Sequence, residues 1–270
     1  MTLTTPLKLH LRVFEIHGRT LRVVTLRPQT PVRFSTNYFH ETWHIVGGTD
    51  GAALLGRLLW GLAFQRLPGT LVLIGGDHVV STPFEGDAPD PILLVPDRLT
   101  SVDDDALRAL RLRLRRSPGA PTTIRWHTFG MPAALAHDDR GPYRKGWRTR
   151  FDGQRTREQM SRRAGFVCYT APPDLLRVHG LGIYRMHERA DPWGSYFPLA
   201  DHGHWKNWGY DGEFQQFAGF GDAVSAARVA RREVAPDARG LLAEHDDRRE
   251  VERHKDVAQA RLRAARRGAR

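Results

Sequence analysis

The chain has 270 residues, 40% hydrophobic and 9% aromatic, with a formal net charge of +11. That length can bury a sizeable core, as one large domain or two small ones. The single cysteine, Cys168, excludes an intrachain disulfide and a cysteine-based zinc site, and it fits a reducing compartment.

The N-terminal M-T-L-T-T-P-L-K-L-H-L-R has no charged head followed by an apolar run, which predicts no signal peptide. The longest apolar region, Ala52 to Phe64, is interrupted by Gly56, Arg57 and Gly61 and is too short to cross a bilayer. The expectation is a cytoplasmic protein with no membrane partner.

Leu7 to Arg27 reads as a hairpin, with two alternating runs around His17-Gly18-Arg19. Tyr38 to Val46 is rich in strand formers. Gly47-Gly48-Thr49-Asp50-Gly51 follows, with Thr49 or Asp50 placed to cap a helix from about Ala52 to Gln65. Leu54, Leu55, Leu58, Leu59 and Leu62 recur at helical spacing. Pro68-Gly69 ends that helix, and T-L-V-L-I reads as a buried strand. Together these predict a strand–helix–strand crossover whose two strands pair in parallel.

Ile92 to Val95 is the next expected strand, and Ser101 or Asp103 caps a helix from about Asp104 to Arg116. Its acids lie at the N-terminal end and Arg115-Arg116 at the other, which complements the helix dipole. Thr122 to Thr128 reads as a further strand. Met131 to Gly165 has little periodicity. Phe166 to Thr170 and Gly182 to His187 read as strands, and Asp191 to Phe220 as a glycine-rich layer pinned by large rings. Asp222 to Val234 and Leu241 to Arg267 read as polar helices, the second projecting or frayed. The predicted fold class is therefore α/β: a mixed sheet with crossover helices, a loop-rich basic and aromatic region, and a polar helical C-terminal tail. The divisions fall at 1–130, 131–221 and 222–270.

Arginine supplies 37 of the 41 basic residues, a ratio that a GC-rich genome tends to produce, so position says more than the total. Arg108 to Arg163 holds 15 Arg and Lys against four acids. The rest of the chain is neutral, so this one segment carries the whole imbalance. Either it is a solvated arginine-rich region or it meets an anionic partner. Within it Arg140, Tyr143, Arg144, Lys145, Trp147, Arg148, Arg150, Arg155, Arg157, Arg162 and Arg163 interleave guanidinium forks, which suit phosphates, with rings, which suit unpaired bases. No helix-turn-helix, zinc-finger or RRM pattern accompanies them, so sequence-specific readout is not expected. The leading expectation is a binder of nucleic acid or another polyanion.

The rival expectation is a zinc hydrolase. His40-Glu41-Thr42-Trp43-His44 places two imidazoles on one face if it is helical, with Glu41 beside a metal-bound water. The longer stretch His40 to Asp50 matches H-E-x-x-H-x-x-G-x-x-D and resembles the metzincin peptidases. That resemblance implies His40, His44 and Asp50 as zinc ligands and Glu41 as the base, but the family's methionine turn has no nearby counterpart. In a strand, His40 and His44 would lie about 13 Å apart, too far to share one ion. Three other features have plainer readings. The glycines at 47–51 could cradle a phosphate, but a tight β–α turn also explains them. Asp201-His202-Gly203-His204, near His179 and His187-Glu188, is a candidate metal or acid–base cluster or a set of loop histidines. Cys168 reads as a core residue. A third class of function is an interaction protein whose tail helix docks a partner.

Overall fold

The computed structural model describes residues 3, 5–39, 41–84, 89–116, 119–137, 158–188, 194–199, 212–234, 254–261 and 264. Among them are a seven-stranded and a four-stranded mixed sheet with helices packed on both, which is the expected α/β class. No helix among the described residues is long and apolar enough to cross a membrane.

The first hairpin forms as its alternation requires. β1 (Leu7–Ile16) and β2 (Arg19–Thr25) pair antiparallel. His17 (φ 50°) and Gly18 (φ 71°) make a two-residue turn with both residues left-handed, the geometry that matches strand twist. β5 (Thr70–Ile74), β6 (Ile92–Pro96), β7 (Thr122–Trp126), β8 (Gln159–Arg163) and β9 (Phe166–Ala171) complete the larger sheet in the order β7-β1-β2-β5-β6-β9-β8. β3 (Phe34–Phe39), β4 (Thr42–Gly47), β10 (Ser195–Leu199) and β11 (Gly212–Gln216) make the smaller one, in the order β10-β11-β4-β3.

Two expectations about the first crossover need correction. Residues 38–46 are not one strand: β3 ends at Phe39 and β4 begins at Thr42, with Phe39 paired to Thr42. Nor does β4 pair with β5. The parallel partner of β5 is β2, and that of β4 is β11, in the other sheet. A strand–helix–strand order fixes local elements but not which sheet each strand joins. Here the antiparallel pairing with β3 commits β4 to the smaller sheet.

α1 (Thr49–Ala63) starts earlier than expected, with Gly48 rather than Thr49 or Asp50 at the cap position. Gly51, Ala52 and every residue from Leu54 to Leu62 are buried, an all-round burial that marks a helix enclosed by protein. It packs against both sheets and against α4 (Pro173–Met186). Each of its five buried leucines stabilises the fold by about 1.5–3 kcal/mol. Arg57 is buried in the same helix, where one guanidinium nitrogen donates to the Thr5 carbonyl. Desolvation holds its pKa below the usual arginine value.

α4 replaces the strand expected at Gly182 to His187. Pro173 opens it, and Leu175, Leu176, His179, Gly180, Ile183 and Tyr184 form one buried stripe at helical spacing. Gly56 on α1 and Gly180 on α4 are contact positions. A Cβ on Gly56 would lie 2.6 Å from the Gly180 carbonyl oxygen, and one on Gly180 would lie 2.9 Å from that of Gly56. The two helix backbones therefore touch through a reciprocal glycine pair.

α2 (Asp104–Arg116) covers the opposite face of the larger sheet, with Ala106, Leu107 and Leu110 on Leu71, Leu73, Leu93, Phe166 and Cys168. Asp103 is its cap, accepting from the Ala106 backbone N–H at 2.8 Å. α3 (Met131–His137) lies in the stretch that showed little periodicity, and Met131 packs with Trp60 and Tyr184. α5 (Phe220–Val234) covers the outer face of the smaller sheet through Phe220 and Val224 on Val46. The helical residues 254–261 do not project. Ala258 is buried, His254 and Arg261 lie 3.3 and 3.6 Å from Glu233 of α5, and Lys255 sits over the Phe84 ring.

Candidate anion-binding cleft

The alternation of β1 divides its side chains. Leu7 and Leu9 face α1 and the core, and Lys8, His10 and Arg12 face the α2 side. β7 pairs alongside β1 and sets Arg125 opposite Lys8. On α2, Arg111 and Arg115 are four residues apart and share a face. Where β1 and α2 approach, Arg12, Arg111 and Arg115 line one cleft of about 640 Å³. Thr25, Leu73 and Phe166 form its floor, and Gly75 to His78 with Pro89 and Pro91 form the facing wall. The cleft opens beyond the carboxyl ends of the parallel strands β2 and β5, the usual ligand position in α/β sheets.

Two of the three guanidinium groups are braced. Arg12 donates from Nε to the Gly119 carbonyl and from a terminal nitrogen to Thr25 Oγ1, both at 3.3 Å. Arg111 donates to the Ala164 carbonyl at 3.2 Å. Gly165 (φ 77°) closes the β8–β9 turn under it, and a Cβ there would fall 1.8 Å from an Arg111 nitrogen. An arginine has five N–H donors, so each braced group keeps donors for a ligand while its orientation is fixed. The local field is positive. The His10 imidazole is held below its ordinary pKa by desolvation first, then by Arg12 and Arg27. Asp77 is the one carboxylate among the described lining residues.

The sequence-predicted polyanion residues divide. Arg140, Tyr143, Arg144, Lys145, Trp147, Arg148, Arg150, Arg155 and Arg157 lie outside the described residues. Arg162 and Arg163 lie on β8 and are held by internal carboxylates. Arg162 Nε is 2.6 Å from Asp90 Oδ2, and that hydrogen bond raises the Arg162 pKa. Arg163 meets Asp104 Oδ1 at 2.8 Å and donates to the Val102 carbonyl at 3.0 Å. These two pin the β8–β9 hairpin to residue 90 and to α2, outside the lining of the cleft.

Of the zinc-motif residues, Glu41, His44 and Asp50 lie on three different elements. His40 lies outside the described residues, as do Asp201, His202 and His204. Glu41 is exposed in the β3–β4 turn at φ 62°. His44 is on strand β4, and Asp50 is in the first turn of α1. Among the described residues no three His, Cys, Asp or Glu side chains group as a metal site. Gly47 and Gly51 serve packing: a Cβ on either would lie 3.3 Å from the Phe34 ring.

His44 belongs to a polar row across the smaller sheet, with Asn37 on one side and Glu213 on the other. His44 Nε2 is 3.3 Å from Glu213 Oε1, and burial raises the Glu213 pKa against the opposing effect of its bond from Gln215. A second buried set lies near α4. The Tyr169 hydroxyl donates to Glu158 Oε1 at 3.0 Å, and His179 Nδ1 is 3.2 Å from the same oxygen. Burial, then Glu158, lifts the Tyr169 pKa well above its usual value. Cys168 is the core residue its neighbours predicted, with burial foremost pushing its thiol pKa up to about 12.

The cleft residues Arg12 and Asp77 were not singled out from sequence, Arg111 entered only as a member of a basic segment, and Arg115 entered there and as a charge at the C-terminal end of its helix. The signals were local: the β1 alternation and the four-residue spacing on α2. Neither reveals that β1 and α2 meet. No protein-family model, no curated protein and no solved structure matches this chain, so what it binds has to be argued from the chemistry of the cleft.

Proposed function

We propose that this protein binds a polyanion, nucleic acid in the first instance, through the arginine cleft and the basic face that continues from it. The convergence of Arg12, Arg111 and Arg115 on one cleft carries the reading. Lys8 and Arg125 extend the same sign of charge along β1 and β7. Charge of one sign concentrated in a concave site focuses the field on an incoming anion. Braced guanidinium groups lose little freedom on binding, and their planar forks fit phosphate oxygens.

Fluorescence anisotropy with a labelled oligonucleotide tests this across salt. Three neutralised phosphates give a log–log slope of roughly −2.1 to −2.7, so affinity falls roughly 20- to 40-fold between 50 and 200 mM salt. Absence of binding at low salt refutes the proposal. Binding with no salt dependence refutes the electrostatic basis given for it.

A further inference from the structure

We infer that the cleft is a receptor for a phosphate monoester, the terminal phosphate of a polynucleotide or of a small phosphorylated molecule, rather than for the internal diesters of a strand. The inference rests on the polyanion reading and names the group that the cleft itself takes.

Oxygen and charge bookkeeping favour the monoester. An internal phosphodiester has two non-bridging oxygens and one negative charge. A monoester has three such oxygens and, with a second pKa near 6, close to two charges at pH 7. Three guanidinium groups line the cleft, each able to offer a fork to one oxygen. With Asp77 the charge of the described lining groups is +2, which a dianion balances and a single diester does not.

Size and shape agree. About 640 Å³ falls within the range of small-molecule pockets. The sheet floor, α2 and the wall from Gly75 to His78 bound it on three sides. Lys8 and Arg125 lie on the neighbouring strands, where they serve the internal phosphates of a strand whose end occupies the cleft. Asp77 repels a bare anion but accepts hydrogen bonds from hydroxyls, which suits a phosphate carried by a sugar.

The test compares two single-stranded oligonucleotides of one sequence, one ending in a 5′-phosphate and one in a 5′-hydroxyl. Nucleoside 5′-monophosphate and inorganic phosphate serve as competitors. The full chain is used, with Arg12→Gln and Arg115→Ala variants whose thermal midpoints are checked. Arg115 is exposed, so its variant keeps the fold. The expected result is about tenfold tighter binding of the phosphorylated end, from added charge-assisted hydrogen bonds, lost in both variants. Competition by the mononucleotide supports a small-molecule source, with or without that end preference. An end preference without such competition supports the strand end. If neither an end preference nor mononucleotide competition is seen while both oligonucleotides bind equally, the monoester inference is overturned and the polyanion reading stands. An end preference that survives in both variants also overturns it. If nothing binds, both fall.

Discussion

Replacing Gly56 by alanine puts the α1–α4 crossing under direct load. Alanine is the better helix former by about 0.8–1 kcal/mol, so a free surface position would gain stability from the change. At position 56 the added Cβ would meet the Gly180 carbonyl oxygen at 2.6 Å, Tyr184 Cβ at 2.7 Å and the Tyr184 backbone nitrogen at 2.8 Å. Two of these are backbone atoms, which no rotamer change can move. The helices must separate by several tenths of an ångström, and the buried layer that α1 shares with both sheets separates with them. Overpacking of this kind costs about 1–3 kcal/mol, which outweighs the propensity gain. Gly180→Ala meets Gly56 and Trp60 backbone at 2.9 Å and behaves alike. Gly221→Ala in α5 is the control, because a Cβ there meets nothing within 4 Å and only the propensity gain remains. Urea unfolding reads all three. The expected result is a lower midpoint for Gly56→Ala and Gly180→Ala and an unchanged or higher one for Gly221→Ala. A Gly56→Ala midpoint equal to or above wild type refutes the reciprocal glycine contact.

Three further outcomes follow from buried or field-sensitive groups. Tyr169→Phe removes the hydroxyl that donates to the buried Glu158 and should cost about 1–3 kcal/mol in chemical denaturation, and a loss within error means the carboxylate is not held this way. Cys168 should resist maleimide at pH 8 in the native protein and react on unfolding, because burial pushes its thiol pKa up to about 12, so rapid native labelling contradicts the core placement. His10 is depressed from 6.5 in the folded chain, so the folded state binds fewer protons there than the unfolded one. Stability is then reduced as pH falls through 6.5 toward the folded pKa, and restored as pH rises again. A bound anion opposes the field of Arg12 and Arg27, so phosphate should raise the His10 pKa. NMR titration of His10 with and without phosphate checks both signs, and an unmoved pKa places the anion elsewhere.

Much of the fold was legible where the code is local. The β1–β2 hairpin carries its alternation and its His17-Gly18 turn in adjacent residues. α2 carries its leucine spacing and its charge order within thirteen residues, and its cap Asp103 directly before them. Misreadings fell where tertiary contacts decide. Gly182 to His187 read as a strand because the sequence does not show that a helix lies against this segment. The strand-former content of residues 38–46 was read correctly, but the pairing of β3 with β4 and the parallel partner of β4 depend on chain closure and on β11, far away in sequence. β10 and β11 lay hidden among aromatic residues that read as loop. The cleft follows the same rule. Its charge imbalance was visible, but Arg12 and Arg111 are about a hundred residues apart, and only the packing of α2 on the sheet brings them together.

The central claim is that the cleft, and not the net charge of +11, binds the anion. The most direct measurement is oligonucleotide affinity for two double charge reversals that alter net charge equally. One is Arg12→Glu with Arg115→Glu in the cleft. The other is Arg228→Glu with Arg232→Glu on the exposed side of α5. We predict that the cleft pair abolishes binding at low salt and the α5 pair leaves it within about threefold, as expected for distant, screened charges. Equal losses in the two variants, or full binding by the cleft variant, would contradict the account.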